Sequence, residues 1–245
     1  MSAKNKYTAQ PESNKMTYIL GGIAVVVIAV LVIGGVLWQN QRSTPQNEGY
    51  GSVQNADVQV SMDENGVVAL GLPGAPATID IYEDPMCPYC SELEHQSGQA
   101  LAQRIDDGDV TVRYHILNFL DRLSASGDYS TRAAAASQCV AETGDAVAYS
   151  AFHATLFSPD FQPAENAGND HSNEELAQAA RDAGASDEAA QCIAGGTKVE
   201  AAAAAGEAGR QALAATGSNG TPTVVKDGQL VDALGDSDWV SKALG

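Results

Sequence analysis

The feature that most constrains this chain is an uncharged, apolar run from Tyr18 to Trp38, YILGGIAVVVIAVLVIGGVLW. As a helix its 21 residues would extend about 31 Å, which is enough to cross the hydrocarbon core of a bilayer. A cleaved signal peptide fits less well, because the run is too long and no small-x-small cleavage pattern follows it. The sequence therefore predicts an uncleaved transmembrane anchor.

The charges around this run predict its orientation. Lys4, Lys6 and Lys15 precede it, and Arg42 is the only base shortly after it. Under the positive-inside rule the N-terminus lies in the cytoplasm and the remainder outside, at the cell membrane. Residues 39–57 are polar and predict a flexible tether. The predicted divisions are a cytoplasmic tail (1–16), the anchor (17–38), a linker with the start of a hairpin (39–64) and a folded domain (65–245).

The net charge excludes one class of partner. The chain has 31 acidic and 13 basic residues, a formal charge of −18. Such a surface repels phosphate backbones, so we expect no nucleic-acid binding. The predicted location also bears on the four cysteines, because disulfides persist outside the cytoplasm and an even number of cysteines suggests pairing.

Cys87 and Cys90 belong to a Cys-Pro-Tyr-Cys segment where a predicted strand (77–82) gives way to a predicted helix (88 to about 105). Pro88 suits the first helical position, which makes Cys87 the cap residue. The positive end of the helix dipole then stabilises the Cys87 thiolate and lowers its pKa. Cys90, one turn further on, lies within disulfide reach and is predicted to be less exposed.

Zinc sites also use this spacing, but they need a second pair of ligands. Cys139 and Cys192 lie far apart, and the four histidines show no ligand-like spacing with them. We therefore predict a redox pair, with no metal and no cofactor. A metal site and an inert structural disulfide remain the alternatives.

The rest of the chain predicts an α/β fold. A hairpin is expected around the turn 63–66, and another strand at 110–117. A closing hairpin at 223–231 and a short helix at about 236–244 follow an alanine-rich helical block. The helices predicted in that block are 130–143, 145–157, 173–184, 186–194 and 198–216.

From Cys87-Pro88-Tyr89-Cys90 to the Thr221-Pro222 pair before the last hairpin, residues 65–245 resemble the DsbA-like branch of the thioredoxin superfamily, of the membrane-anchored bacterial type. Asp84, three residues before Cys87, is part of the resemblance. It implies a thioredoxin-like fold with a helical insertion at about 119–197. It also implies Cys87 and Cys90 as the catalytic pair, with Pro88, Tyr89, Thr221 and Pro222 as neighbours and a cis bond before Pro222.

One departure concerns an acid. Many relatives carry a buried acid six residues before the first cysteine, where it helps to move the proton of the second thiol. Here that position is Ile81, and Asp80 falls on the opposite face of the strand. Glu83 is the candidate to compensate.

The resemblance implies an enzyme that donates disulfides to secreted or membrane proteins. Its implied partners are reduced substrate proteins and a membrane quinone-linked reoxidase of the DsbB or vitamin-K-epoxide-reductase type. The alternative is a reductase or disulfide isomerase kept reduced by a membrane donor, and Thr221 does not separate the two. A non-catalytic metal or binding module is the alternative from another class.

Cys139 and Cys192 are predicted to form a structural disulfide inside the helical insertion. Both lie on predicted helices among small apolar neighbours, and neither lies at a helix N-terminus that would lower its pKa. Two buried free thiols are the alternative.

Overall fold

The structure is a computed structural model and describes residues 49–245. The predicted tail (1–16), the predicted anchor (17–38) and the first part of the predicted linker (39–64) lie outside these residues. Within residues 49–245 no helix combines the length and apolarity needed to cross a membrane.

The centre of the fold is a six-stranded sheet with the order β1-β2-β4-β3-β5-β6. β3 and β4 are parallel and are joined by the crossover helix α1 (Pro88–Asp106), while the other neighbouring pairs are antiparallel. The strands are β1 (Gln59–Met62), β2 (Val68–Gly71), β3 (Ala77–Glu83), β4 (Val110–Ile116), β5 (Thr223–Lys226) and β6 (Gln229–Val231).

Seven α-helices are described, and five of them lie between β4 and β5. They begin and end close to the bounds that the apolar periodicity and the Gly, Pro and Asp breaks predict. The helices are α1 (Pro88–Asp106), α2 (Tyr129–Ala141), α3 (Ala146–Phe157), α4 (Asn173–Asp182), α5 (Asp187–Ala194), α6 (Val199–Ala215) and α7 (Trp239–Leu244).

The two faces of β3 serve different cores, because successive side chains of a strand point to opposite sides. Ile79 and Ile81 are fully buried in the main core together with Leu93 of α1. Tyr82 packs on the opposite face in a smaller cluster with Leu213 of α6. Glu83, the last residue of β3, lies on the same face as Ile81, and its carboxyl group is buried in the main core.

The helical block packs closely because its contact surfaces are small. Twelve of the thirteen residues of α2 are buried, and four of these are the consecutive alanines 133–136. In α6 a Cβ at Gly206 would collide with the Asn118 side chain, so glycine permits the close approach of this helix to the end of β4. Close packing of small residues thus holds the block on the sheet.

The described part of the predicted tether does not lie free. Val53 is fully buried, and its backbone N–H donates to the Ser150 hydroxyl at 3.0 Å. The Asp106 carboxylate at the end of α1 accepts the backbone N–H groups of Gln54 and Asn55. The expectation of a flexible tether through residue 57 is therefore wrong from residue 49 onwards. The polar composition of this segment gave no sign that its backbone N–H groups would donate to a carboxylate distant in sequence.

Candidate active site

Cys87 caps the N-terminus of α1. Its backbone is extended (φ −73°, ψ 117°) and Pro88 occupies the first turn, as the missing N–H of proline favours. Its backbone N–H donates to the carbonyl of Asp84 at 2.8 Å, which closes the turn between β3 and α1. The Sγ–H of Cys87 donates to the carbonyl of Thr221 at 3.4 Å. The first thiol therefore faces the loop before β5.

The surroundings of Cys87 favour its thiolate. Hydrogen bonding from the Cys90 thiol is the largest cause that lowers the pKa of Cys87, to about 6. Burial opposes this, while the backbone N–H groups of Tyr89 and Cys90 add to it. These N–H groups belong to the first turn of α1, and that of Cys90 also donates to the carbonyl of Cys87 at 3.0 Å. At neutral pH the Cys87 sulfur is largely a nucleophile and a good leaving group.

Cys90 has the opposite character. It is fully buried, and burial is the main cause that raises its pKa well above the usual value for a thiol. Its hydrogen bond to Cys87 and the negative charge of Glu83 add to this rise. Both cysteines are free thiols, so the structure describes the reduced pair. Cys87 therefore ionises readily, whereas Cys90 keeps its proton.

The Thr221–Pro222 peptide bond is cis. Thr221 and Pro222 are half-buried beside Cys87, whereas the Tyr89 side chain is 65% exposed. The sequence-predicted residues of the site thus come together from the start of α1 and from the loop before β5.

Beneath the cysteine pair lies a buried cluster that we call the acid–histidine cluster: Glu83 of β3, Glu94 of α1 and His153 of α3. The Nε2 atom of His153 lies 3.3 Å from a Glu83 carboxylate oxygen and 3.5 Å from a Glu94 carboxylate oxygen. All three side chains are at most 5% exposed. The cluster occupies the core close to Cys90, on the face of β3 where Ile81 is apolar.

Burial sets the protonation of this cluster. Burial first, and then the charge of Glu94, raise the pKa of Glu83. The two carboxylates together outweigh burial and raise the pKa of His153. An imidazolium between two carboxyl groups, one of them retaining a proton near neutral pH, offsets part of the cost of burial by charge alone, since the Glu83 oxygens and the His153 nitrogens make no hydrogen bond within residues 49–245. The donor atoms lie within 4.8 Å of one another, a spacing that could also hold a metal ion.

The helical insertion reaches the active site at two further points. The side-chain amide of Gln162, in the loop between α3 and α4, donates to the carbonyl of Cys87 at 3.1 Å. The hydroxyl of Ser91, next to Cys90, donates to the carbonyl of Phe157 at 2.6 Å. The insertion therefore contacts the first turn of α1 directly, through two hydrogen bonds.

Cys139 of α2 and Cys192 of α5 form a disulfide, with their Cα atoms 5.9 Å apart. Cys139 is buried and Cys192 is half-buried. The bond joins two helices of the insertion and belongs to neither strand nor helix of the Cys87–Cys90 site.

Sequence reasoning did not single out Glu94, His153 or Gln162. Glu94 lies one turn after Cys90, next to Leu93, on the helix face that carries the core residues of α1. His153 follows Phe152 in a helix whose inner side is apolar and aromatic. A polar residue on a predicted core face was the available signal for both. Gln162 lies in a loop and carried no such signal.

A helix N-terminus that stabilises one thiolate and shields its partner, opposite a cis proline at the start of a strand, is the arrangement of a thiol–disulfide oxidoreductase with a thioredoxin-like fold. Residues 63–245 match the family model described as thioredoxin. The chain belongs to the thioredoxin family, and within it to the DsbA-like thiol–disulfide oxidoreductases.

Two solved structures support the assignment to the DsbA-like thiol–disulfide oxidoreductases. The MdbA protein of Corynebacterium diphtheriae, a thiol-disulfide oxidoreductase, is 32% identical with a TM-score of 0.68, covering 79% of this chain and 96% of its own. Oxidised DsbA of Mycobacterium tuberculosis is 30% identical with a TM-score of 0.57, covering 77% and 98%.

One further relative is a protein kinase, much longer than this chain. The serine/threonine-protein kinase PknE of Mycobacterium tuberculosis is 40% identical over 181 residues, which is 74% of this chain and 32% of the kinase. The chain thus spans about a third of the length of that relative.

Proposed function

We propose that this chain is an extracytoplasmic oxidase that donates disulfides to secreted or membrane proteins through Cys87 and Cys90. The single observation that carries the proposal is the contrast within the pair: the pKa of Cys87 is lowered to about 6, while burial raises that of Cys90. A stabilised Cys87 thiolate favours the reduced form of the enzyme. The oxidised form is then a strong disulfide donor.

The exchange begins with the Cys87–Cys90 disulfide. A substrate thiolate attacks the Cys87 sulfur, the bond between the two enzyme sulfurs breaks, and Cys90 leaves with the electron pair. A second substrate thiolate then attacks the substrate sulfur of the mixed disulfide and releases Cys87 as a thiolate. Two electrons pass from the substrate dithiol to the enzyme, which ends as a dithiol, and the substrate leaves as a disulfide.

Glu83 is the proposed proton donor for Cys90. The sulfur that leaves in the first step must take up a proton, because burial disfavours a thiolate at Cys90. The raised pKa of Glu83 keeps a proton available beside it near neutral pH. His153 and Glu94 share the remaining charge. Glu83 thus compensates for the apolar Ile81, from a position one step further along the same strand face.

The proposed location is the cell membrane, with a single anchor, a cytoplasmic N-terminus and the catalytic domain outside. It rests on the sequence of residues 18–38 and the lysines before it. The proposed partners are reduced substrate proteins and a membrane quinone-linked reoxidase of the DsbB or vitamin-K-epoxide-reductase type. The likeness to a thiol-disulfide oxidoreductase of C. diphtheriae and to DsbA of M. tuberculosis supports this assignment.

Thiol trapping in intact cells tests the direction of the reaction. Cells are quenched in acid, free thiols are alkylated, and the state of Cys87 and Cys90 is read by mass spectrometry. An oxidase is expected to keep the pair mainly oxidised at steady state. A pair found mainly reduced would contradict the proposal and favour a reductase or isomerase kept reduced by a membrane donor.

A further inference from the structure

Asp84 touches both cysteines through its backbone. Its carbonyl accepts the backbone N–H of Cys87 at 2.8 Å, and its own N–H donates to the Cys90 sulfur. Its carboxylate accepts the backbone N–H of Met86 at 3.0 Å. The whole turn from β3 to α1 is therefore folded around this one residue.

The same carboxylate also binds the helical insertion. The Ser130 hydroxyl of α2 donates at 2.6 Å to the oxygen that also accepts Met86, and the other oxygen accepts the backbone N–H of Leu120 at 3.1 Å. A residue that merely closed a turn would need only the local N–H of Met86. The two additional donors come from 36 and 46 residues away along the chain.

This arrangement is costly to build. Asp84 is fully buried, and burial raises the pKa of its carboxyl to about 7, although its three hydrogen bonds oppose the rise. The three donors are neutral. An apolar residue would avoid that cost, so the carboxylate must contribute something that the burial of an apolar side chain could not.

We propose that Asp84 is a positioning residue for disulfide exchange: its carboxylate joins the active-site turn to the helical insertion and so holds Cys87 where the first-turn N–H groups reach its sulfur. The inference rests on the proposed role of Cys87 as the attacked sulfur. It assigns the insertion a part in setting thiol reactivity.

The position and the charge of Asp84 have opposite effects on the thiolate fraction of Cys87. A negative carboxylate nearby disfavours the thiolate, so removing the charge alone would increase the thiolate fraction. Loss of the hold on the turn would weaken the N–H donation to sulfur and decrease that fraction. The other acid that faces Cys87 is Glu83, and Tyr129 faces Asp84 from α2. Neither is altered in the variants below.

The test is the pH profile of alkylation of Cys87 in the reduced full chain, read on the Cys87 peptide by mass spectrometry. Asp84→Asn keeps the shape but replaces one acceptor oxygen with a donor. Ser130→Ala removes the donor from α2. Ser137→Ala is the matched control, since Ser137 is equally buried in α2 but its hydroxyl bonds only within the helix, to Ala133. We expect both test variants to slow alkylation near pH 6 roughly fivefold, and the control to leave it unchanged.

Faster alkylation in Asp84→Asn would overturn the proposal, because it would assign the residue a charge effect alone. An unchanged profile with lowered stability in urea would overturn it as well, because it would make the role merely structural. If Asp84→Asn does not fold, the difference between Ser130→Ala and Ser137→Ala decides alone. Cys87→Ser that retained exchange would defeat the proposed function instead, an outcome separate from these alkylation rates.

Discussion

Cys87 and Cys90 lie three residues apart across the first turn of α1, whereas Cys139 and Cys192 are 53 residues apart and join two helices of the insertion. The first pair is described as free thiols and the second as a disulfide. What differs is the support for a thiolate. Cys87 receives N–H groups at a helix N-terminus, while Cys139 lies in the last turn of α2, far from such donors. The surroundings of the reduced sulfur therefore decide which of the two bonds is exchangeable.

The largest effect should come from removing the exchangeable sulfur. Cys87→Ser is expected to lower the rate of peptide oxidation at least about a thousandfold, because Cys90 is shielded and has no helix cap to stabilise its thiolate. Insulin reduction provides a second assay. The matched control is the Cys139→Ala, Cys192→Ala double variant, which should retain exchange. If the control lost exchange as fully as Cys87→Ser, the division of labour between the two pairs would be wrong.

The second pair should matter for stability. Cys139→Ala with Cys192→Ala is expected to lower the free energy of unfolding by about 4 kcal/mol, because the 53-residue loop is no longer constrained in the unfolded chain. Urea denaturation of the purified domain measures this. Cys87→Ser with Cys90→Ser, compared with the oxidised wild type, opens a much shorter loop and should cost less. Equal losses for the two double variants would contradict the assignment of a structural role to one pair only.

Glu83→Gln should affect the first pair alone. It removes the proposed proton donor to Cys90, so formation of the mixed disulfide is expected to slow by roughly a hundredfold near neutral pH. Stopped-flow mixing of the oxidised enzyme with a reduced peptide measures that step. Glu92→Gln is a matched control on the exposed side of α1 and should leave the rate unchanged.

Glu83→Gln should also change how the stability of the protein depends on pH. The folded-state pKa of Glu83 is raised, so its contribution is present at acid pH and is lost as the pH rises through the folded pKa. His153 also has a raised pKa, and its contribution is lost in the same direction. The oxidised wild type should therefore lose stability between about pH 5 and pH 9, and Glu83→Gln should lose less. An equal pH dependence in both proteins would argue against a buried, protonated Glu83.

The smallest effect concerns the hydrogen bond within the first pair. Hydrogen bonding from Cys90 is the largest cause that lowers the pKa of Cys87. Cys90→Ser keeps a donor, so the alkylation midpoint of Cys87 should stay near pH 6, while Cys90→Ala should raise it and slow alkylation there roughly threefold. Both variants should accumulate mixed disulfides on Cys87. Identical midpoints in the two variants would show that the Cys90 side chain does not tune its neighbour.

Local patterns predicted most of the fold. The strand before Cys87, the helix that Pro88 begins and the order of the later helices all follow from periodicity and from breaks at Gly and Pro. What the patterns missed are contacts between distant segments. His153 meets Glu83 across 70 positions, and Asp106 binds Gln54 from 52 positions away. Neither contact can be predicted from the sequence pattern, because the two partners come together only after the helices pack.

The segment 49–57, which lies along α1, has a mechanical consequence. Gly49 is bonded to the carbonyl of His95, the Tyr50 hydroxyl lies 2.8 Å from that of Ser91, and Asn55 is bonded to Asp106 at the far end of the helix. Tension arriving from the N-terminal side would therefore load these contacts one at a time, first at His95 and then at Ser91. Both of these contacts lie in the N-terminal half of α1, and the second adjoins Cys90, so the reactive turn lies at the end of the domain where force enters.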